Sequence, residues 1–315
     1  MECRRTQRAC DFPPRRLPPN PSQKINKYII GTSYPLPIGD DGITNSKREI
    51  SKNDVFELQV EFAALFDGHY ETGICPDEIY WRPGITATKE ICNAWKASRK
   101  IAGIVCGKQL GSLACQLMGW KSSRIGQDDV LHKPSQSNAV GFHQDGAYIS
   151  DNFVPRENNA LTMWIALDDA DEENVALQYA QGSHLWSSED SINSEVAGNV
   201  AGSSFHVGWK EDYLSSLRKA AQSLGKNMSE VERSVRTVPV KAGEMIVHHQ
   251  DVWHGSGPNT SESRQRRALV AHLVDGAVQW RHDPKPHYIY GGYYIRGESM
   301  PRDDFFPVTW REACG

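Results

Sequence analysis

The sequence predicts a mainly β fold, a jelly-roll core with flanking helices, and three observations carry that expectation. From residue 123 onward, apolar, β-branched and aromatic runs of strand length recur with Gly, Pro and Asn between them, as in an antiparallel sandwich. Residues 50–120 instead place apolar side chains at helical spacing, which suits helices that buttress a sheet. At 315 residues, 39% hydrophobic and with a net charge of −4, the chain is long enough for one sizeable core.

Taken in order, residues 1–28 stand apart. Arg4, Arg5, Arg8, Arg15, Arg16, Lys24 and Lys27 outnumber Glu2 and Asp11, and repeated prolines break any helix. This reads as a mobile basic tail, with organelle addressing as the alternative, and leaves 29–315 as a single domain. Ser51-x-x-Asp54 opens a helix whose one face carries Val55, Leu58, Phe62 and Leu65 up to Asp67-Gly68. Thr88 is expected to cap a second helix carrying Ile91, Trp95, Ile101 and Val105. A third is expected over 108–118, stopped by Gly119. Strands are expected over 123–132, 138–143, 160–168, 175–180, 236–240, 244–249 and 267–274, so the jelly roll spans about 123–275. A polar segment at about 186–235, with a helix near 211–224, is expected to project from it as a lid. The C-terminal part is aromatic, with Trp280, Tyr288, Tyr290, Tyr293, Tyr294, Phe305 and Phe306 packing together or covering an apolar cavity.

Composition narrows the function classes. No run approaches the ~20 apolar residues of a membrane span, and no early apolar stretch resembles a secretory signal. The charge balance gives no reason to expect nucleic acid. The seven cysteines are dispersed and form no Cys-x-x-Cys pair, which argues for reduced thiols in an intracellular, cytoplasmic setting.

The chemistry concentrates in Gly141-Phe-His-Gln-Asp-Gly-Ala-Tyr148. On a strand, residues i and i+2 share a face, so His143 and Asp145 converge while Gln144 points away. A third ligand is offered far downstream in Asp251-Val-Trp-His-Gly-Ser-Gly-Pro-Asn259, by His254. Two imidazoles and one carboxylate form the facial triad that holds Fe(II) with positions left open. His248 and His249 are competing candidates, His249 as a ligand of a distorted site, and His184 reads as structural. Beyond His254, Ser263-Arg-Gln-Arg-Arg-Ala-Leu-Val-Ala-His272 opens an apolar run with arginines, one of which could grip a carboxylate through a bidentate fork.

Together, His143-Gln-Asp145, His254-Gly-Ser-Gly-Pro-Asn259 and the Arg266-Arg-Ala-Leu run resemble the phytanoyl-CoA dioxygenase-like family of Fe(II)/2-oxoglutarate oxygenases. Lys133-Pro134, Leu161-Thr-Met-Trp-Ile-Ala-Leu167 and Asn174-Val-Ala-Leu-Gln-Tyr-Ala-Gln-Gly-Ser-His184 match it too, across roughly residues 50–310. Val175 stands where the family has glycine, and Gln181 where it has proline. The resemblance implies a double-stranded β-helix (cupin-like) core and a metal held by His143, Asp145 and His254. It implies 2-oxoglutarate anchored by Arg266, with Arg264 and Arg267 as fallbacks, and O₂ as co-substrate. Lys133 is expected to assist the cofactor or to be an exposed lysine, and Trp164 to wall its pocket or fill the core. The implied reaction is hydroxylation of a small molecule with release of succinate and CO₂; desaturation, epoxidation or ring formation use the same oxidant. Related halogenases replace the carboxylate ligand, so Asp145 argues against that outcome. A zinc hydrolase built on His-His-Asp and a non-catalytic jelly-roll binding protein are the other classes.

Overall fold

The computed structural model describes residues 43–46, 50–81, 86–149, 151–186, 212–285 and 289–313. The expected tail, residues 187–211 of the polar segment, and Tyr288 lie outside the described residues. Helix α1 (Lys52–Phe66) starts where Ser51 Oγ accepts the Asp54 N–H at 3.1 Å, and it buries Val55, Leu58, Phe62 and Leu65 as their spacing predicts. Helix α2 (Arg99–Val105) is capped by Ser98, and α3 (Lys108–Met118) ends at Gly119, whose φ of 72° favours glycine.

The strands in chain order are β1 (Ile43–Ser46), β2 (Glu78–Tyr80), β3 (Lys89–Cys92), β4 (Ser122–Lys133), β5 (Val140–His143), β6 (Phe153–Val154) and β7 (Ala160–Ala166). They continue with β8 (Gln178–Ala180), β9 (Val235–Thr237), β10 (Met245–His249), β11 (His254–Ser256), β12 (Arg266–Asp275), β13 (Gln279–Trp280) and β14 (Val308–Arg311). The larger sheet runs β1-β10-β7-β12-β4-β3-β2 with β14 beside β4; the smaller runs β5-β11-β8-β9. Every pairing is antiparallel, as expected of a jelly roll. One expectation fails here. Residues 89–92 form β3 and not the start of a helix, because Ile91 and Cys92 bury against β4 in register with Val130 and Asp129. A 3-10 turn follows at Ala94–Lys96, and α-helix begins only after Ser98.

Strand parity divides the larger sheet. Leu269, Ala271 and Leu273 of β12 join Leu161, Met163 and Ile165 of β7 in a core roofed by α1, α2 and α3 through Leu58, Phe62, Ile101 and Leu113. The alternate residues face the interior, where Trp164, Ala166, Ala268 and Val270 pack with Leu177 and Tyr179 of the smaller-sheet side. The stretch Arg99–Met118, with a mean hydropathy of 1.2, meets the length and composition of a membrane span, against expectation. In the fold it is broken at Cys106-Gly107 and buries Ile101, Val105, Leu113 and Ala114 in this core. The C-terminal aromatics Trp280, Tyr290 and Phe306 pack with Tyr148 and Phe153.

Residues 212–235 do not project as expected. Helices α5 (Ser215–Ser223) and α6 (Met228–Ser234) back the smaller sheet, with Leu217, Ala220, Ala221 and Val231 against Phe142, Ala180 and Trp253. The Phe142 N–H bonds Tyr213 O at 2.8 Å and the Gln181 N–H bonds Ser234 O at 3.1 Å. A proline at 181 has no N–H to give. Gln181→Pro is therefore expected to cost about 1 kcal/mol of stability and to speed proteolysis within 212–235. An unchanged digestion pattern would mean that apolar packing alone holds this segment.

Candidate metal centre and its cleft

The centre is built where β5 ends and β11 begins. His143 and His254 are direct cross-strand partners, and their ring centroids lie 4.2 Å apart. Glycine at 255 permits this approach, since a Cβ there would stand 2.8 Å from Phe142 Cδ2 and 2.9 Å from Val140 O. Asp145 lies just beyond the strand, in the turn into a short helix α4 (Gly146–Ile149), fixed by the Gly146 N–H to Gln250 O bond of 2.8 Å. It still returns to the side of His143, and Gln144 turns away to donate to the Asp251 carbonyl. Asp145 Oδ1 is 3.7 Å from His143 Nε2 and 3.6 Å from His254 Nε2, and one ligand atom from each residue lies within 4.8 Å of the others.

The hydrogen bonds set the tautomers. His143 Nδ1 is 2.8 Å from Gly141 O and His254 Nδ1 is 3.1 Å from Val252 O. A carbonyl only accepts, so each ring carries its proton on Nδ1 and keeps the Nε2 lone pair for the side of Asp145. Burial pushes the His254 pKa down to about 4, which leaves it neutral at physiological pH. Burial alone would raise the Asp145 carboxyl; His254, His272 and His248 outweigh it and hold it well below the usual carboxylate range.

A row of polar side chains across the larger sheet supports Asp145. Gln127, His272, Thr162 and His248 are successive cross-strand partners on β4, β12, β7 and β10. Thr162 Oγ1 donates to Asp145 Oδ2 at 2.5 Å, His248 Nε2 donates to the same oxygen at 3.0 Å, and Tyr148 OH donates to Oδ1 at 2.8 Å. His248 Nδ1 in turn accepts from Tyr179 OH at 3.1 Å. His272 bridges Thr162 Oγ1 and Asp129 Oδ2, both at 2.9 Å, and Gln127 Nε2 donates to Asp129 Oδ1 at 2.6 Å. Burial would lower the His272 pKa, but Asp145 and Asp129 raise it to about 9, so it is a cation. His249 bonds Asn158 Oδ1 at 2.8 Å, away from the centre. The supporting row was not anticipated from the sequence.

The other end of the cleft is cationic. Arg266 is buried on β12, with its guanidinium 5.5 Å over the Trp164 ring and Nη2 3.5 Å from Ser256 Oγ, and Nη1 donates to the Val175 carbonyl. Among the described residues no carboxylate pairs with it, whereas Arg264 meets Asp171 and Glu173 and Arg267 meets Asp168. Burial lowers the Arg266 pKa to about 10, and it remains charged. A buried guanidinium with no anion calls for a carboxylate-bearing ligand. Lys133 is not brought to the cleft: its Nζ donates to Asn138 O at 2.7 Å, and burial and then Arg266 push its pKa well down. Lys133 is thus neither exposed nor among the residues that line the cleft, because its amine is buried and bonded to a backbone carbonyl. Trp164, His143, Asp145, His254, Ser256 and Arg266 all line one cleft that is partly open to solvent. Two imidazole nitrogens and a carboxylate oxygen at one end, and a lone guanidinium at the other, fit Fe(II) and a dicarboxylate.

The sequence profile of the phytanoyl-CoA dioxygenase (PhyH) family matches residues 78–268. The chain is 28% identical over 178 residues to a probable alpha-ketoglutarate-dependent hypophosphite dioxygenase of Stutzerimonas stutzeri, covering 56% of this chain and 54% of that protein. It is 28% identical over 148 residues to the phytanoyl-CoA dioxygenase domain-containing protein 1 of Bos taurus, covering 47% of this chain and 43% of that one. The chain therefore spans about half the length of the curated relatives it matches. The non-heme alpha ketoglutarate dependent carbocyclase SnoK from nogalamycin biosynthesis shares the fold, with a TM-score of 0.61 at 21% identity over 85% of this chain and 92% of that one.

Val175, whose carbonyl holds Arg266, has φ 63°, a left-handed conformation that a β-branched residue resists. Such strain costs ~1–3 kcal/mol, and the extra unfolded-state freedom of glycine costs ~0.5–1 kcal/mol. Val175→Gly is therefore expected to raise stability by about 1 kcal/mol, read as a higher thermal midpoint. A lower midpoint would show that packing of the Val175 side chain outweighs its backbone strain.

Proposed function

The chain belongs to the phytanoyl-CoA dioxygenase family, and from that premise we propose that it is a non-haem Fe(II)/2-oxoglutarate-dependent dioxygenase hydroxylating a small molecule. The observation that carries the reading is the pairing, in one cleft, of the His143–Asp145–His254 cluster with a buried Arg266 that has no carboxylate partner among the described residues. When bound, Fe(II) and 2-oxoglutarate supply, with O₂, the oxidation of a substrate C–H bond, with succinate and CO₂ as co-products.

The chain's own residues bind and orient. His143 and His254 present Nε2 lone pairs because backbone carbonyls hold their Nδ1 protons. Thr162 and His248 occupy Asp145 Oδ2, while Oδ1, which accepts from Tyr148 OH, faces the two imidazoles. Arg266 and Ser256 take the far carboxylate of 2-oxoglutarate, and the Trp164 ring walls it from water. A zinc hydrolase would leave Arg266 without a task, and a binding protein would need no convergence of the three ligands. The carboxylate of Asp145 fills the position that a halogenase would leave for halide, which favours hydroxylation.

His143→Ala, Asp145→Ala and His254→Ala are each expected to abolish Fe(II) uptake and 2-oxoglutarate-dependent succinate formation, while His249→Ala keeps both. Iron retained by His254→Ala and lost by His249→Ala would replace the third ligand. Arg266→Gln is expected to weaken the apparent 2-oxoglutarate affinity about ten- to a hundred-fold while sparing Fe(II), because a charge-assisted bond is lost. Unchanged 2-oxoglutarate dependence in this variant would contradict the cofactor assignment.

A further inference from the structure

We propose that Tyr148 is a positioning residue for the oxygen of Asp145 that meets the metal, and that the C-terminal aromatic segment acts on the metal centre by seating Tyr148. The inference rests on the oxygenase reading of the cleft. Asp145 immediately precedes α4 and Tyr148 stands three residues on, in its single turn, so the two side chains emerge on one side. Glycine at 146 lets that turn lie against the residues before His254, since a Cβ there would stand 2.5 Å from Asp251 Oδ1. Tyr148 OH donates at 2.8 Å to Oδ1, the oxygen that faces His143 and His254. A carboxylate offers about four lone-pair sites. Thr162 and His248 use those of Oδ2 and Tyr148 uses one on Oδ1, which leaves the last for an ion. Tyr148 thereby selects the lone pair that the ion meets.

The phenol can do this only if its ring is held. It stacks on Tyr290 with ring centroids 6.3 Å apart and planes at 16°, and it meets His272 edge-on at 6.4 Å and 85°. Its backbone carbonyl accepts from Asn152 Nδ2 at 3.0 Å. Tyr290 is buried in turn, 5.7 Å from the Phe153 ring and 6.3 Å from that of Phe306. Gly291 lets the chain close on Asn152, whose Oδ1 would lie 2.8 Å from a Cβ at that position. The three ligands and Arg266 all fall within the stretch 78–268 matched by the family profile, whereas Tyr290 and Phe306 lie beyond it. The C-terminal segment therefore adds a support behind Asp145 without itself touching the ligands.

Two readouts on the full chain test this: Fe(II) affinity by competition with a chelator, and the visible band of the anaerobic complex with Fe(II) and 2-oxoglutarate. Tyr148→Phe keeps the ring and its stacking and removes the donor. It is expected to weaken Fe(II) binding about ten- to a hundred-fold, as loss of a bond behind a ligand does. It is also expected to move the band to longer wavelength, because an oxygen relieved of a hydrogen bond gives more electron density to the ion. Tyr290→Leu leaves the hydroxyl in place but unseats the ring, and is expected to change both readouts in the same direction by a smaller amount. Phe305→Leu loosens the same cluster at Tyr293, away from Tyr148, and is expected to leave both unchanged. Tyr148→Phe without loss of affinity or without the band shift, or Tyr290→Leu indistinguishable from the unaltered protein, would overturn the proposal. Equal changes in Phe305→Leu would overturn it too, by reducing the effect to lost packing. If the unaltered protein binds Fe(II) but gives no band, the oxygenase reading falls and the affinities alone decide the role of Tyr148. No Fe(II) binding by the unaltered protein would overturn both.

Discussion

Asp145 is 1% exposed, and a carboxylate taken that far from water persists only where donors meet its oxygens. Thr162, His248 and Tyr148 supply them, and each is itself held: Thr162 by His272, His248 by Tyr179, His272 by Asp129. The chain of partners crosses β4, β12, β7 and β10 on one rung, so it exists only in this register. A slip of one residue in β12 would turn His272 and Arg266 to the helical side and bring Leu273 inward. The register of the larger sheet and the burial of one carboxylate are thus the same constraint.

The smaller sheet adds the complementary half. Pairing His143 with His254 directly across β5 and β11 sets two imidazoles against Asp145 Oδ1, the oxygen that the larger sheet leaves facing them. Parity along β12 then sends Arg266, Val270 and His272 into one cleft while Leu269 and Ala271 anchor the strand to the helices. The three candidate ligands and Arg266 are therefore laid out by strand geometry, with the helices of the larger sheet outside them.

Much of this was legible in the sequence. Ser51 and Gly119 marked helix ends that the structure keeps, because capping depends on local side-chain and backbone chemistry. His143, Asp145 and His254 converge as their motifs suggested, and Arg266 is the arginine that enters the cleft while Arg264 and Arg267 remain in ion pairs. Residues 89–92 were misread because Ile91 fits both a helical and an alternating pattern, and only pairing with β4 decides between them. β11 carried no apolar run to announce it. The Gln127–His272–Thr162–His248 row was invisible for a different reason: it depends on the register among four strands far apart in sequence. The departures at Val175 and Gln181 find local accounts, a left-handed backbone at one and an N–H bonded to Ser234 at the other.

We propose that one cleft holds Fe(II) at His143, Asp145 and His254 and 2-oxoglutarate between that ion and Arg266. Anaerobic titration of Fe(II) into the protein with 2-oxoglutarate, followed by visible absorption, tests it most directly. The expected result is a weak metal-to-ligand charge-transfer band that saturates stoichiometrically and is absent when glutarate, which lacks the 2-oxo group, replaces 2-oxoglutarate. Fe(II) binding with no such band, or the same spectrum with glutarate, would contradict it.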